Sequence, residues 1–192
     1  MTITLRPYQQ KVIDDLADAL RKGYRHPLLV LPTGAGKTVV ASKLAEGIKN
    51  KGNSLIFMCH RTELVDQTYR TFLKNDIEPD FIAAGRKFKP KSNCYIAMVN
   101  SLLRRLQKVD CPKVFIVDET QYVLSKTWKT IVNYFDKSIV IGLTATPYRL
   151  DGKPLSDLYD CMIQGPTTDE LIKMGNLVPY KYYAPTNLDT SK

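Results

Sequence analysis

The residues best suited to chemistry in this chain form a short glycine-rich loop that ends in a lysine and a threonine. The loop reads Pro32-Thr33-Gly34-Ala35-Gly36-Lys37-Thr38. Glycines let backbone N–H groups approach an anion closely, and a helix that follows directs its positive end at the anion. In such loops the lysine binds the β- and γ-phosphates of a nucleotide and the threonine hydroxyl binds Mg²⁺. We therefore predict a phosphate loop in which residues 33–38 contact the cofactor.

The phosphate loop departs from the strict pattern G-x-x-x-x-G-K-[ST], because Leu31 stands where the first glycine would be. It has the shorter form P-x-G-x-G-K-T. The alternative is an ordinary strand-to-helix turn that uses glycine for geometry alone. The flanking residues favour a phosphate loop: Leu28–Leu31 is typical of a buried strand, and a helix follows with an apolar stripe at Val39, Val40, Leu44, Ala45 and Ile48.

Two neighbouring carboxylates follow another apolar run. Asp118 and Glu119 come directly after Val114–Val117, which is typical of a buried strand. Downstream of a phosphate loop, an aspartate in this position holds Mg²⁺, usually through water, and the adjacent glutamate orients or deprotonates the attacking water. We predict Lys37, Asp118 and Glu119 as catalytic residues and Thr38 and Asp118 as metal ligands. An exposed carboxylate pair at a strand end is the alternative.

Apolar runs alternate with amphipathic helical segments, which is typical of a parallel sheet with helices on both faces. We predict an α/β fold of three layers with a mainly parallel central sheet. Ligands of such sheets bind outside the carboxyl ends of the strands, so the phosphate loop, the acidic pair and Thr144-Ala145-Thr146-Pro147 should converge on one edge. The predicted strands are Leu28–Leu31, Ser54–Met58, Tyr95–Val99, Val114–Val117 and Ile139–Leu143, with weaker candidates at Asp80–Gly85 and Tyr180–Tyr183.

Length and charge limit the class of protein. With 192 residues the chain has room for one well-buried domain and a short extension. Its net charge is +9, so its surface should attract polyanions such as nucleic acid, although a charge run is usually a solvated face. The basic residues cluster in the sequence at Arg86–Lys91, Arg104–Lys108 and Lys126–Lys129.

The sequence gives no sign of a membrane, a metal cluster or a disulfide framework. No apolar run approaches the roughly 20 residues that span a bilayer, and the amino terminus lacks the features of a signal peptide. The four cysteines have no C-x-x-C spacing, so we interpret them as reduced packing residues. We expect a cytoplasmic protein with no membrane partner, located in the host cytoplasm if it is phage-encoded.

Taken together, these residues resemble the first, RecA-like motor domain of superfamily 2 (DEAD/DEAH-like) helicases, and most closely bacterial RadD-type DNA repair helicases and their phage relatives. The phosphate loop is similar to motif I, Val117-Asp118-Glu119 to motif II and Gly142–Pro147 to motif III. Leu5-Arg6-Pro7-Tyr8-Gln9 resembles the adenine-reading motif. That resemblance implies that Gln9 hydrogen-bonds the base and Arg6 packs near it; helix-start chemistry is the alternative.

The resemblance also implies a nucleic-acid site, with DNA favoured over RNA. His60-Arg61-Thr62-Glu63-Leu64 is similar to motif Ia, whose backbone N–H groups and basic side chain hold one strand. An ordinary strand-to-helix loop is the alternative. Gly85 and Arg86, together with Asn100 and Ser101, resemble further backbone-contacting segments. A lone tryptophan such as Trp128 is more often a core residue than a base-stacking one, and we predict core.

The acidic motif departs from the helicase pattern after its second carboxylate. The family commonly continues with alanine or cysteine and then histidine, whereas this chain has Thr120 and Gln121. Gln121 can still donate and accept hydrogen bonds toward Thr144 or Thr146. The resemblance therefore implies that Gln121, Thr144 and Thr146 couple the ATP site to the nucleic-acid site.

The predicted domains are 1–150, a RecA-like ATP-binding helicase domain, and 151–192, an extension that packs on it. Thr167 and Glu170 form a capping-box pattern for a short helix in this extension, which ends at Gly175. The extension is expected to lead toward a second RecA-like domain in cis. Without the arginine fingers of that domain, an ATP-dependent helicase would be nearly inactive. The alternatives are an RNA helicase, a restriction or remodelling motor, a small-molecule kinase and a non-catalytic binding module.

Overall fold

The computed structural model describes residues 4–120, 126–148, 155 and 158–179. Its centre is a sheet of seven strands in the order β3-β4-β2-β5-β6-β1-β7. The strands are β1 (Pro27–Val30), β2 (Leu55–Cys59), β3 (Asp80–Ile82), β4 (Cys94–Met98), β5 (Val114–Val117), β6 (Ile139–Thr144) and β7 (Cys161–Gln164). Every neighbouring pair is parallel. The prediction of a mainly parallel sheet is therefore confirmed.

Helices connect the strands and cover both faces of the sheet. They are α1 (Pro7–Arg21), α2 (Lys37–Asn50), α3 (Thr62–Leu73), α4 (Val99–Leu103), α5 (Lys126–Tyr134) and α6 (Thr168–Lys173). Along β5, Val114 and Ile116 belong to the core under α1, α2 and α3, while Phe115 and Val117 belong to the core under α4 and α5. A strand buried on both faces needs apolar residues throughout, which explains the continuous apolar runs. The three-layer α/β fold is confirmed.

Aromatic side chains fill much of the core under α4 and α5. Trp128 on α5 is only 2% exposed, and its ring meets that of Phe115 edge to face, with centroids 6.4 Å apart. Phe135 packs on the same Phe115 ring at 5.5 Å. The prediction that Trp128 is a core residue is confirmed, because a ring enclosed in this way is not available to stack on bases.

The sequence did not predict β7, which lies at one end of the described sheet. It pairs with β1 in parallel, with Leu29 opposite Ile163. Only Ile163 of its four residues is buried, so the segment lacks the apolar run by which the central strands were found. The sheet thus continues beyond residue 150. The weaker candidate at Tyr180–Tyr183 lies outside the described residues.

The capping box of α6 is present as predicted. The Thr167 hydroxyl accepts a hydrogen bond from the Glu170 N–H at 3.3 Å, and the Glu170 carboxylate accepts one from the Thr167 N–H at 2.8 Å. Gly175 follows the helix with φ +68°, the left-handed conformation that ends many helices. Leu171, fully buried, fixes α6 to the core.

We expect Thr167→Ala to lower the free energy of unfolding by about 1 kcal/mol, because the orphan N–H of Glu170 loses its acceptor. Urea denaturation of the purified chain measures this change. Thr168→Ala is the matched control, since Thr168 is exposed one residue further into the same helix. Equal destabilisation by the two substitutions would contradict a capping role.

Candidate functional site

Apart from Arg6 and Gln9 at the start of α1 and Gln121 outside the described residues, the predicted site residues follow the carboxyl ends of parallel strands at one edge of the sheet. The nucleotide candidates follow β1, β5 and β6, which are neighbours in the order β5-β6-β1. The nucleic-acid candidates follow β2, β3 and β4, which are neighbours in the order β3-β4-β2. Because β2 pairs with β5, the two groups of candidates meet at the centre of the sheet.

The phosphate loop turns sharply between β1 and α2. Gly34 and Gly36 both have φ +83°, in the left-handed region that favours glycine. A Cβ atom at Gly36 would lie 2.5 Å from the Gln9 amide nitrogen, so a side chain there would displace the Gln9 amide. Lys37 and Thr38 occupy the first turn of α2. The Leu31 N–H at the start of the loop donates to the Thr144 carbonyl at 2.9 Å, which links the loop to the end of β6.

Helix α1 holds the phosphate loop through a single carbonyl group. The Ala35 carbonyl accepts hydrogen bonds from the Tyr8 hydroxyl and from the Gln9 amide nitrogen, both at 2.9 Å. The Gln9 amide oxygen accepts from the Arg6 N–H at 2.9 Å, so both ends of this amide are bound. Arg6 is exposed beside it. Tyr8 was not among the predicted site residues, and its contact with the loop is a finding of the structure.

We expect Gln9→Ala to lower the free energy of unfolding by about 1–2 kcal/mol, because the buried amide of Gln9 supports both the loop and the first turn of α1. Chemical denaturation without nucleotide provides the measurement. Gln10→Ala is the matched control, since Gln10 is exposed on α1 and bonds only Asp14 among the described residues. A smaller loss for Gln9→Ala than for Gln10→Ala would contradict this structural role.

The lysine of the phosphate loop reaches the acidic pair. Lys37 Nζ lies 3.4 Å from Glu119 Oε1 and 3.4 Å from the Leu31 carbonyl oxygen. The side chains of Lys37 and Glu119 are 10% and 24% exposed, so this ion pair is partly shielded from solvent. Asp118 is buried, and its N–H donates to the Met58 carbonyl at 3.0 Å. Motifs I and II are therefore in direct contact.

The acidic pair combines a buried carboxyl group with an unusual backbone turn. Burial, helped by the Glu119 charge, raises the pKa of Asp118 to about 6, while the Lys37 charge and the hydrogen bond from the Glu119 N–H oppose the shift. Glu119 has φ +48°, which is uncommon for a residue other than glycine. Its N–H donates to Asp118 Oδ1 at 3.1 Å. A hydroxyl from Thr38 and a carboxylate from Asp118 are hard oxygen donors, a set that fits Mg²⁺.

The threonine segment after β6 is ordered by its own hydrogen bonds. Thr144 Oγ1 donates to the Thr146 carbonyl at 2.6 Å and accepts from the Thr146 N–H at 3.1 Å. Thr144 is fully buried, and its carbonyl holds the phosphate loop as described above. Gln121, the third predicted coupling residue, lies outside the described residues, so its role stays a prediction.

His60 and Arg61 stand where the two groups of candidates meet. His60 follows β2, and Arg61 is the exposed N-cap residue of α3. Burial and the Arg61 charge lower the pKa of His60, whereas the Glu119 charge raises it. Because the Glu119 charge affects the pKa of His60, the motif Ia loop is close enough to the acidic pair to interact with it electrostatically.

The remaining nucleic-acid candidates differ in exposure. Gly85 and Asn100 are exposed, whereas Ser101 is 3% exposed within α4. Gly85 has φ +70°, and Arg86 after it forms an ion pair with Asp66 of α3. The Arg86 guanidinium also lies over the Phe81 ring, 5.1 Å from its centroid. The contacts of these residues with nucleic acid stay predictions.

One further residue beside the phosphate loop was not expected from the sequence. A Cβ atom at Gly34 would lie 2.8 Å from a methyl group of Leu177, which follows α6. The Leu177 N–H donates to the carbonyl of the buried Leu171 at 3.1 Å, which fixes its place. The loop thus contacts both α1 and the segment after α6. A lone leucine 143 residues away from Gly34 in the sequence gives no signal of such a contact.

The described part of the chain has no helix long and apolar enough to cross a membrane. Its sequence and fold are similar to those of several known proteins. A Lactococcus phage 51.5 kDa protein is 32% identical over 161 residues, which cover 84% of this chain and 33% of that protein. This chain therefore spans about a third of that relative's length.

Two solved structures share the fold. The UvsW helicase of bacteriophage T4 matches with a TM-score of 0.68 and 17% identity over 84% of this chain and 60% of its own. The Sulfolobus solfataricus SWI2/SNF2 ATPase core in complex with dsDNA matches with a TM-score of 0.62 and 25% identity over 77% of this chain and 33% of its own. Residues 2–149 match the family described as the res subunit of type III restriction enzymes. The chain belongs to that family, and its α/β fold is that of a superfamily 2 helicase motor domain.

Proposed function

We propose that this chain is the first motor domain of an ATP-dependent DNA helicase or translocase, which binds Mg²⁺-ATP and the backbone of a nucleic-acid strand. The contact between Lys37 and Glu119, at 3.4 Å, is the observation that carries the proposal. It joins the phosphate loop to the acidic pair at the edge where parallel sheets bind ligands. An NTP hydrolase needs these two elements side by side, whereas a simple phosphate-binding turn does not.

The proposed mechanism begins with an exchange of partners at Lys37. Nucleotide phosphates compete with the Glu119 carboxylate for the ammonium group, so binding frees Glu119 from its ion pair. Glu119 is then available to orient or deprotonate the attacking water. Thr38 and Asp118 would hold Mg²⁺, which neutralises charge on the β- and γ-phosphates when it is bound. Gln9 and Arg6 are proposed to contact the base.

The proposed strand-binding face lies beside the ATP site, at the ends of β2, β3 and β4. Its candidates are His60, Arg61, Gly85, Arg86, Asn100 and Ser101. The net charge of +9 favours a polyanionic partner. The complex of the SWI2/SNF2 ATPase core with dsDNA supports DNA over RNA. RadD-type DNA repair helicases remain our proposed closest functional class, and the proposed location is the cytoplasm.

Titration calorimetry with the purified chain tests the nucleotide site. We expect ATP to bind about tenfold more tightly with Mg²⁺ than with EDTA, because the metal joins Thr38 and Asp118 to the phosphates. AMP should bind far more weakly, since it lacks the phosphates that Lys37 contacts. Equal affinity for ATP and AMP would contradict the assignment, and the absence of any binding would favour a protein that does not use nucleotide.

Nucleotide hydrolysis tests the expectation that this chain acts with a second RecA-like domain in cis. Arginine fingers contribute roughly 10³ to 10⁵ in rate to P-loop hydrolases. The chain alone should therefore hydrolyse ATP very slowly, with or without DNA. DNA-stimulated turnover by the 192-residue chain would contradict this proposal. Stimulation of a two-domain form by RNA rather than DNA would favour an RNA helicase.

A further inference from the structure

Tyr159 links the segment before β7 to the end of the acidic motif. Its hydroxyl shares a hydrogen bond with the Thr120 hydroxyl, and both residues are buried. The ring packs against β6 at Gly142, where a Cβ atom would lie 2.5 Å from a ring carbon. Gly142 is opposite Val117 in the sheet, so Tyr159 crosses from β6 toward the end of β5. Neither Tyr159 nor Thr120 was among the predicted site residues.

The backbone on either side of Tyr159 is fixed at the amino end of β1. The Tyr159 N–H donates to the Leu155 carbonyl at 3.2 Å. The next residue, Asp160, accepts hydrogen bonds from the N–H groups of Arg25 and His26 at 2.6 and 2.9 Å. The Asp160 N–H returns a bond to the His26 carbonyl at 2.9 Å. Tyr159 is therefore anchored at the edge opposite the phosphate loop, independently of any nucleotide.

The acidic motif needs such an anchor because of its backbone conformation. Glu119 has φ +48°, which costs conformational energy in a residue with a side chain. On one side of it, the Asp118 N–H is held by Met58 in β2. On the other side, the hydrogen bond between Thr120 and Tyr159 is the buried contact that fixes the chain. The turn that directs Glu119 toward Lys37 is thus held at both ends.

We propose that Tyr159 is a positioning residue for Glu119. By holding Thr120, it fixes the left-handed turn and keeps the Glu119 carboxylate beside Lys37 until phosphate takes its place. This inference rests on the proposed nucleotide site, and it adds a role for the segment before β7. Tyr159 does not contact nucleotide in this scheme, so it acts only through Thr120 and Glu119.

A double-mutant cycle on Mg²⁺-ATP affinity tests the proposal in the 192-residue chain. Glu119→Gln removes the competitor for Lys37, and we expect it to tighten binding about fivefold when Tyr159 is present. In the Tyr159→Phe background the same change should tighten binding less than about twofold, because the carboxylate is no longer held at Lys37. The same factor in both backgrounds would overturn the positioning role, even if Tyr159→Phe lowers stability.

Hydrogen exchange without nucleotide gives a second, independent measurement. Amides of residues 118–120 should exchange about tenfold faster in Tyr159→Phe, because the turn opens more often. Thr120→Val should have the same effect, and it provides a second route if Tyr159→Phe does not fold. Tyr24→Phe is the control, since it removes a hydroxyl from a half-exposed side chain. Unchanged exchange in both variants would overturn the proposal, whereas failure of wild-type ATP binding would count against the nucleotide site instead.

Discussion

Lys37→Ala is expected to weaken Mg²⁺-ATP binding on the order of 100-fold, or about 2.8 kcal/mol. The ammonium group lies in the first turn of α2, 10% exposed, where it faces the acidic pair. Its charge-assisted contacts with phosphate would form in a partly shielded site, so they are worth more than surface contacts. Calorimetry or competition with a fluorescent nucleotide measures the change.

The matched control for this substitution is Lys43→Ala. Lys43 lies on the same helix and pairs with Glu46 one turn along, with 21% of its side chain exposed. Its loss removes the same charge from α2 without touching the phosphate loop, so we expect ATP affinity to change less than about twofold. Similar losses in the two variants would mean that net charge, and not contact with phosphate, governs binding. Unchanged affinity in Lys37→Ala would favour a module that binds no nucleotide through this loop.

Local sequence patterns were sufficient to predict the fold and the position of the ATP-site candidates. A strand buried on both faces must be apolar throughout, so β5 and β6 could be bounded to within one residue. Their carboxyl ends then had to share an edge with the phosphate loop. The ion pair between Lys37 and Glu119 is the contact that this geometry implies.

The contacts that hold the site could not be predicted, because they join residues far apart in the sequence. Tyr8 and Leu177 both contact the phosphate loop, yet each resembles an ordinary apolar helix or loop residue. Tyr159 meets Thr120 across 39 positions. The clearest sign of the Tyr159 contact in the sequence is Gly142, because a glycine within a strand often marks a place where another group approaches closely. Such contacts follow from tertiary packing, which no local pattern encodes.

For the nucleic-acid candidates too, the sequence did not predict which other residues surround each side chain. Motif likeness predicted Arg86 and Ser101 as residues that contact the nucleic-acid backbone, but it did not give their surroundings. Arg86 already forms an ion pair with Asp66 and lies over the Phe81 ring, so a nucleic-acid phosphate would have to compete with an existing ion pair. Ser101 is buried within α4, where its carbonyl accepts from Arg105 at 3.2 Å. Whether such a side chain can contact nucleic acid depends on its exposure, and its exposure depends on neighbouring residues that lie outside the motif.

The contribution of Asp118 to the stability of the metal-free, nucleotide-free chain should fall by about 3 kcal/mol as pH rises from about 4 to about 7. Burial raises the pKa of Asp118 from 3.8 to about 6 in the folded state. The folded chain therefore favours the protonated carboxyl, so this contribution is fully present below pH 4 and is lost as pH passes through 6. The neighbouring charges are Glu119, which strengthens the shift, and Lys37, which weakens it.

Asp118→Asn isolates this contribution, because an amide has a similar shape and does not ionise in this range. The variant should be about 3 kcal/mol more stable than wild type at pH 7.5, and the difference should shrink toward zero near pH 4. Asp14→Asn, at an exposed position on α1, is the control and should change stability little at either pH. Urea denaturation across this range gives the measurement. A difference that does not vary with pH would place the effect in packing or hydrogen bonding. A difference that grows toward pH 4 would mean that Asp118 is stabilised as a carboxylate, contrary to its burial.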